Sequence, residues 1–254
     1  MASQGAQGND PLTCEVSDQH GVLVVRPVGA LTIRTYGYLR DFLLKCVADQ
    51  PRAVIVDLAT LTITSDFLTS VFVTVWMRTT QWSTVPFVVV PGPANATRFK
   101  HSPTQKFLTV RPTVSDALQR LTEPPAVRRT VLWLPPSALS LYATRQFVAE
   151  TCRNWQVHML AADAAAVAAE LVTNAIQHTA SPATLRLELW RGRLTVAVTD
   201  DDSQPVHWPH DNAKSAPVDG GLQLVVHLAR AWGCTPAWSG GKVTWAVLDV
   251  PARR

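Results

Sequence analysis

The nine residues ELVTNAIQH, from Glu170 to His178, decide how the second half of this chain is interpreted. Glu170, Asn174 and His178 stand at every fourth position, and a helix with roughly 3.6 residues per turn places all three on one face. By itself such spacing is usually the polar face of an amphipathic helix. A carboxylate, an amide and an imidazole aligned in this way can also hold a hydrated magnesium ion beside a phosphate chain. The stretch therefore predicts a helix with a candidate magnesium-phosphate site.

Three later segments supply further polar groups and glycines in a fixed order. The strand-like LTVAVTD ends at Asp200, the pair Gly220-Gly221 opens a helix-like segment, and GGKVTW carries Lys242 and Thr244. Each has an ordinary explanation, because a strand-end aspartate favours a turn and a glycine pair favours a hinge or a hairpin. Glycines at a helix N-terminus also let backbone N–H groups approach a phosphate. The order of the segments, rather than any one of them, indicates a nucleotide site.

This order resembles the ATP-binding domain shared by gyrase, heat-shock and histidine-kinase proteins, the GHKL or histidine-kinase-like ATPase family. The resemblance covers residues 126–252 and is greatest to the anti-sigma-factor serine kinases, which phosphorylate an antagonist protein. It implies an α+β sandwich with helices beside a mixed, largely antiparallel sheet. It also implies that ATP and Mg²⁺ are the cofactors of this half.

The resemblance implies a role for each matched residue. Glu170 is expected to be the general base, Asn174 the magnesium ligand, and Asp200 the acceptor for the adenine amino group. His178 either lines the pocket or caps the end of its helix, where an imidazolium is favoured. The remaining nucleotide contacts are expected from Gly220, Gly221, Lys242 and Thr244, under a lid formed by residues 203–219.

The segment after Asp200 departs from the family pattern. The family has DxGxG here, whereas this chain has Asp200-Asp201-Asp202-Ser203-Gln204 without either glycine. Extra carboxylates repel a polyphosphate by about 1 kcal/mol per close pair in water. Two functions therefore stay open: a Mg-ATP-dependent protein serine/threonine kinase, or a non-enzymatic adaptor with a vestigial nucleotide site.

The first half alternates strands and helices with short connections, which predicts a mostly parallel sheet with helices packed against it. Its segment VDLATLTITSDFLTSVF (56–72) and the order of its elements over 13–122 resemble the STAS domain of anti-sigma-factor antagonists. In that family a serine in the loop after the VDL strand is phosphorylated at a helix N-terminus. Alignment without a gap places Ser65 on the family's aspartate and Asp66 on its phosphoserine.

Two interpretations of Asp66 stay open. Its carboxylate is either a fixed negative charge that partly imitates the phosphorylated state, or only a helix cap favoured by the helix dipole. A shift of the loop by one residue would also let Ser65 or Thr64 take the phosphate.

The periodicity of apolar residues and the turn residues give the expected elements of both halves. In the first half they predict strands at 21–29, 53–58 and 85–91 and helices at 35–50, 67–81 and 114–121, the last with Ser115 as its N-cap. After a linker at 122–129 they predict a strand at 130–136, helices at 137–155 and 161–180, a hairpin at 184–200 turning at Arg191-Gly192-Arg193, a helix at 221–233 and a final strand at 238–250.

Composition limits the classes of function. The 254 residues carry a net charge of +4 without a basic stripe, so nucleic acid is not an expected partner. The apolar runs predict strands and core helices rather than a membrane span, and the N-terminal MASQGAQGNDP lacks the pattern of a signal peptide. Composition therefore favours a cytoplasmic protein. The two resemblances together imply a bacterial partner-switching regulator that binds sigma factors, antagonist proteins or both. An intramolecular contact between its halves and a homodimer are both compatible with the sequence.

Overall fold

The computed structural model describes residues 12–100, 106–121, 127–206, 208 and 221–251. The chain divides into two compact units. The first consists of Met1–Arg78 and Val85–Glu123, and the second of Thr79–Thr84 and Pro124–Arg254. Of the predicted linker 122–129, residues 122–126 lie outside the described ranges, and Arg128 already begins a strand.

The first unit contains a sheet with helices on both faces. Its strands are β1 (Thr13–Gln19), β2 (Val22–Leu31), β3 (Ala53–Asp57), β4 (Leu61–Ile63), β5 (Phe87–Val90) and β6 (Thr109–Val110). Its helices are α1 (Ile33–Ala48), α2 (Ser70–Thr79), α3 (Gly92–Lys100) and α4 (Val114–Arg120), with a 3₁₀ turn at Asp66–Thr69 before α2.

The sheet runs in the order β1-β2-β3-β5-β6, with β4 beside the end of β2. Among the described strands of this sheet only the β1–β2 pair is antiparallel, so the prediction of a mostly parallel sheet is confirmed. β3 is buried along its whole length because alternate side chains point into two cores. Val54 and Val56 join the core with α1 and α2, and Ile55 joins the core with α4.

Three details of the first unit differ from the sequence prediction. The segment between the predicted strand 53–58 and the predicted helix 67–81, for which no strand was predicted, contains the short strand β4, whose pairing with β2 is a tertiary contact. The predicted helix 67–81 is a 3₁₀ turn followed by α2. The N-cap of α4 is Thr113 rather than Ser115, because the Thr113 side chain accepts a hydrogen bond from the Asp116 backbone N–H.

The second unit, as far as the structure describes it, consists of three helices and a five-stranded sheet. Its strands are β7 (Arg128–Leu134), β8 (Ala183–Trp190), β9 (Arg193–Asp200), β10 (Ala231–Pro236) and β11 (Lys242–Asp249). Its helices are α5 (Leu139–Asn154), α6 (Ala161–His178) and α7 (Gly221–Leu228), with a 3₁₀ turn at His158–Leu160.

The sheet order is β10-β11-β9-β8-β7, and every described pair is antiparallel. The predicted hairpin is confirmed: Arg191 and Gly192 have φ values of 48° and 72°, as a two-residue turn requires. The predicted helix 221–233 is wrong in its last part. α7 ends at Leu228, and residues 231–236 form β10, because pairing with β11 overrides the local helical pattern.

Helix α6 lies in the core of the second unit. It packs against α5, α7 and β9 and buries Val167, Leu171 and Val172 completely. Among the described residues the stretch His158–Gln177 is long and apolar enough to span a membrane. A buried core helix has the same composition, so this stretch is weak grounds for a span, and the cytoplasmic location stays a prediction.

The face of the sheet opposite to α6 carries a buried ionic network. Leu187 points into the helix-covered core, so the neighbouring Glu188 points to the other face. Glu188 accepts hydrogen bonds from Arg129 Nη2 at 2.7 Å, from Arg186 Nη1 and from the Thr84 hydroxyl. Burial lowers the pKa of Arg186 to about 10, against the opposing attraction of Glu188.

Candidate functional site

The carboxylate of Glu170 lies against the first residue of α7. A Cβ placed on Gly221 would collide with Glu170 Oε2 and lie 2.8 Å from its Cδ, so only glycine admits the carboxylate here. α6 and α7 pack together, and Asn174 lies one turn after Glu170, half-buried. The structure therefore brings Glu170 and Gly221 together, and the phosphate-binding role of this end stays a prediction.

The structure does not describe Gly220 or the side chain of His178, which also belong to this predicted end. Gly220 lies outside the described residues, as does most of the predicted lid 203–219, of which the structure describes 203–206 and 208. α6 ends at His178, whose side chain is also outside the description. The roles expected for these residues stay predictions.

A second group of charges lies where β9 ends beside the start of β11. Asp200 and Lys242 are register partners in the antiparallel pair, and each side chain is at most 2% exposed. Lys242 Nζ lies 3.0 Å from Asp200 Oδ1, 2.7 Å from Asp202 Oδ2 and 3.2 Å from the Asp202 carbonyl oxygen. We call Asp200, Asp202 and Lys242 the Asp200 cluster.

One buried acceptor of the Asp200 cluster has no donor among the residues that the structure describes. Among the described residues no group donates a hydrogen bond to Asp200 Oδ2, which has essentially no exposed surface. Burial raises the pKa of Asp200, and the hydrogen bond from Lys242 opposes the rise. Burial lowers the pKa of Lys242, but hydrogen bonds to Asp202 and Asp200 outweigh it and leave the pKa raised. An unpaired buried acceptor usually costs about 1 to 3 kcal/mol.

Thr244 lies two residues further along β11 and is 1% exposed. Its hydroxyl contacts Cys234 Sγ on β10 at 3.9 Å. Burial raises the pKa of the Cys234 thiol. Lys242 and Thr244, both expected to contact nucleotide, thus lie on the same side of β11. In this structure the ammonium group of Lys242 is paired with Asp200 and Asp202.

The sequence did not identify Asp202 as the partner of Lys242. These residues are forty positions apart, and only the β9–β11 register brings them together. The turn before β11 contributes to this closeness, since Gly241 has a φ of 70° and a Cβ there would collide with the Asp200 carbonyl oxygen. Glycine is therefore needed at position 241 for the close approach of this turn to β9, in addition to any role at a nucleotide.

In the first unit, Asp66 begins the 3₁₀ turn before α2. The N-cap position is Ser65, whose side chain makes no capping hydrogen bond. The Asp66 carboxylate, 83% exposed, instead forms an ion pair with Arg98 on α3. Arg98 is a neighbour that sequence reasoning missed, because α3 was not predicted.

Residues 13–117 match the STAS domain family model, which places a STAS-like α/β fold in the N-terminal part of the chain. This match covers less than half of the 254 residues.

Several solved structures resemble the chain over a similar span. An anti-sigma factor antagonist from Mycobacterium paratuberculosis is 25% identical, with 46% of this chain and 98% of that chain covered and a TM-score of 0.39. The anti-sigma factor antagonist SpoIIAA in its unphosphorylated form is 16% identical, with 44% and 96% covered and a TM-score of 0.32. No curated protein matches the chain.

Proposed function

We propose that this chain is a partner-switching regulator of sigma-factor activity, in which a STAS-like antagonist unit is joined to an anti-sigma-kinase-like unit of the GHKL type. The observation that carries the proposal is the match of residues 13–117 to the STAS domain model. The partners are sigma factors, antagonist proteins or both. Because both units belong to one chain, each meets the other at an effective concentration of roughly millimolar, so self-regulation through an intramolecular contact is expected.

The proposal takes Asp66 as a fixed negative charge at the position that the ungapped alignment matches to the phosphoserine of STAS domains. The exposed Asp66 carboxylate lies at the start of a helical segment and is held by Arg98. The contact of the Asp66 carboxylate with Arg98 on α3, rather than with the backbone of its own turn, is the observation that supports a fixed-charge role over that of a simple helix cap. A carboxylate has less charge than a phosphate of about 1.5 to 2 units, so the imitation is partial.

The second unit is proposed to respond to Mg-ATP, and its residues fit that ligand in one specific respect. Asp200 Oδ2 is a buried acceptor without a described donor, as a site for the adenine amino group requires. Asn174 would hold Mg²⁺, and Glu170 would accept the proton of a Ser or Thr hydroxyl on an antagonist protein. Mg-ATP, when bound, supplies the phosphoryl group for that transfer.

A second candidate is a non-enzymatic adaptor that works by contact alone. The Asp200 cluster favours it, because the three N–H groups of Lys242 are matched by three oxygens of Asp200 and Asp202. In this function the cluster is a structural ion pair, and the missing glycines at 202 and 204 reflect loss of the nucleotide.

Calorimetric titration with Mg-ATP separates the two candidates. Binding by the full chain that Asn174→Ala and Asp200→Ala both weaken is expected for a working site. Asp163→Ala is the matched control, since Asp163 is an exposed residue in the first turn of the same helix. No binding at millimolar nucleotide would eliminate the Mg-ATP site and leave the adaptor. Transfer of label from ATP to purified antagonist proteins, lost in Glu170→Gln, then tests the kinase.

A further inference from the structure

The first unit contains a cavity at the carboxyl edge of its mostly parallel sheet. The cavity has a volume of about 500 Å³ and is bounded by α3 on one side and by the end of β6 on the other. Ligands of open α/β sheets bind outside the carboxyl ends of the parallel strands. Small-molecule sites typically have volumes of roughly 300 to 1,000 Å³. The position and the size of this cavity are therefore those of a ligand site.

The wall of the cavity is mostly apolar. Nine residues line it, all of them described, and only Lys100 and Arg111 among them have a polar side chain. Three of the others are proline, whose fixed φ leaves the wall few alternative conformations. Phe99 also belongs to the wall and is 1% exposed, because its ring packs against Phe72 with 5.8 Å between the ring centroids. Such a wall favours a ligand with an apolar body.

Helix α3, which forms one side of the cavity, is fixed to the loop after β3. The buried Asn95 amide donates hydrogen bonds to the carbonyl oxygens of Leu58 at 3.1 Å and Leu61 at 2.9 Å. Gly92 begins the helix with a φ of 68°, and a Cβ there would lie 2.7 Å from Ala59 Cα. These contacts hold α3 in place without a ligand, so binding requires little ordering of the protein.

Both polar side chains of the wall are cationic. Lys100 is exposed and has no ion pair among the described residues. Arg111 Nε lies 3.9 Å from Asp116 Oδ2, and Arg120 binds the same carboxylate more closely, at 3.0 Å. None of the nine lining residues is acidic. The wall is therefore complementary to a negatively charged group.

We propose that this cavity binds a small amphipathic carboxylate. The apolar body of the ligand contacts Phe99 and the prolines, and its carboxylate pairs with Lys100 and Arg111. A carboxylate accepts charge-assisted hydrogen bonds from both side chains, and a guanidinium can bind it through two N–H groups. The site gives the STAS-like unit a ligand of its own and does not depend on nucleotide binding by the second unit.

Calorimetric titration of the full-length protein tests the site with two carboxylates and their uncharged counterparts. Octanoate and naphthoate distinguish a chain from a ring as the apolar body, and octanol and naphthalenemethanol have the same bodies without the charge. At least one carboxylate is expected to bind about tenfold more tightly than its alcohol, because it gains two ion pairs at a partly exposed site.

Two substitutions test the recognition of the charge. Lys100→Ala and Arg111→Ala are each expected to weaken carboxylate binding about two- to fivefold, and both together about tenfold. Binding of the alcohol should not change. Lys45→Ala is the matched control, since Lys45 is an exposed lysine in the last turn of α1 and does not line the cavity. Its effect on affinity is expected to be less than about twofold.

A third substitution tests the cavity itself. Ala96 is an exposed lining residue of α3, so Ala96→Phe places a ring in the cavity without removing a buried contact. This variant is expected to keep the melting temperature of the natural chain and to bind neither carboxylate nor alcohol. If it does not fold, amide chemical shifts of the isotope-labelled natural protein locate the ligand, and the shifts of Ala96, Lys100 and Val110 are expected to change.

Three results would overturn the proposal. The first is the absence of binding by either carboxylate at millimolar concentration. The second is a ligand that binds Ala96→Phe as it binds the natural chain, or that leaves the amide shifts around the cavity unchanged. The third is equal affinity for each carboxylate and its alcohol, or a Lys100→Ala/Arg111→Ala double variant that binds as Lys45→Ala does. A separate titration with Mg-ATP reports on the nucleotide site, so the two proposals fail independently.

Discussion

Replacement of Glu188 by alanine is expected to lower the free energy of unfolding of the second unit by about 3 to 5 kcal/mol. The Glu188 side chain is 2% exposed and neutralises Arg186, which is 9% exposed. Removing one partner of a buried ion pair leaves an uncompensated buried charge, which costs about this much. The Arg129 side chain is 35% exposed and is hydrated by solvent when Glu188 is absent. The loss of the Arg129–Glu188 ion pair therefore adds less than about 1 kcal/mol to the destabilisation. The unpaired guanidinium of Arg186 therefore accounts for most of the expected loss of stability.

Tryptophan fluorescence during guanidinium unfolding measures this effect in the right unit. Eight of the nine tryptophans lie in the second unit, and only Trp76 lies in the first. For a unit of this size the expected loss corresponds to a fall in melting temperature of roughly 10 to 17 °C. Glu150→Ala, on the exposed face of α5, is the control for loss of a surface glutamate.

A double substitution tests the reason for the effect. In Glu188→Leu with Arg186→Met no buried charge is left, so most of the lost stability is expected to return. The reasoning is refuted if Glu188→Ala destabilises no more than Glu150→Ala. It is also refuted if the double variant is less stable than Glu188→Ala.

Three further results are expected. Gly221→Ala should weaken Mg-ATP binding because the added Cβ displaces the Glu170 carboxylate. It should cost little stability, since that carboxylate is the flexible end of its side chain. Unchanged binding in calorimetry would contradict a role for the contact between Glu170 and Gly221 in nucleotide binding. Asp66→Ser should strengthen binding to a purified anti-sigma kinase, and equal affinity for both proteins would exclude the fixed-charge role. The raised pKa of Asp200 means that the folded state takes up its proton first. As the pH falls through the folded pKa towards the ordinary value of 3.8, the melting temperature of the natural chain should therefore rise relative to Asp200→Asn; a constant difference would argue against burial of the charge.

Much of the fold follows from local sequence. Continuous apolar runs such as AVIVD predict the buried strand β3, and the period of four in ELVTNAIQH predicts α6. Arg191-Gly192 predicts the hairpin between β8 and β9, because the turn needs two residues with positive φ. These features depend on neighbours within a few residues, so tertiary structure changes them little.

The candidate site was only partly accessible from sequence. The order of Glu170, Asp200 and Gly221 indicated a nucleotide site, and the structure brings Glu170 against Gly221. The sequence could not indicate that Asp202 binds Lys242, since that pair depends on the register of β9 with β11. Nor could it predict the pairing of Asp66 with Arg98 on an unpredicted helix.

Sequence by itself determined the strands β3 and β5, the helix that carries Glu170 and Asn174, and the hairpin of β8 and β9. Only the tertiary structure decided that residues 231–236 form β10 and that Lys242 is ion-paired. The physical reason is the range of the interactions. Helix periodicity and turn conformation are fixed within one or two turns of chain, whereas strand register and buried ion pairs depend on groups tens of residues apart. Pairing of residues 231–236 with β11 overrides their local helical pattern.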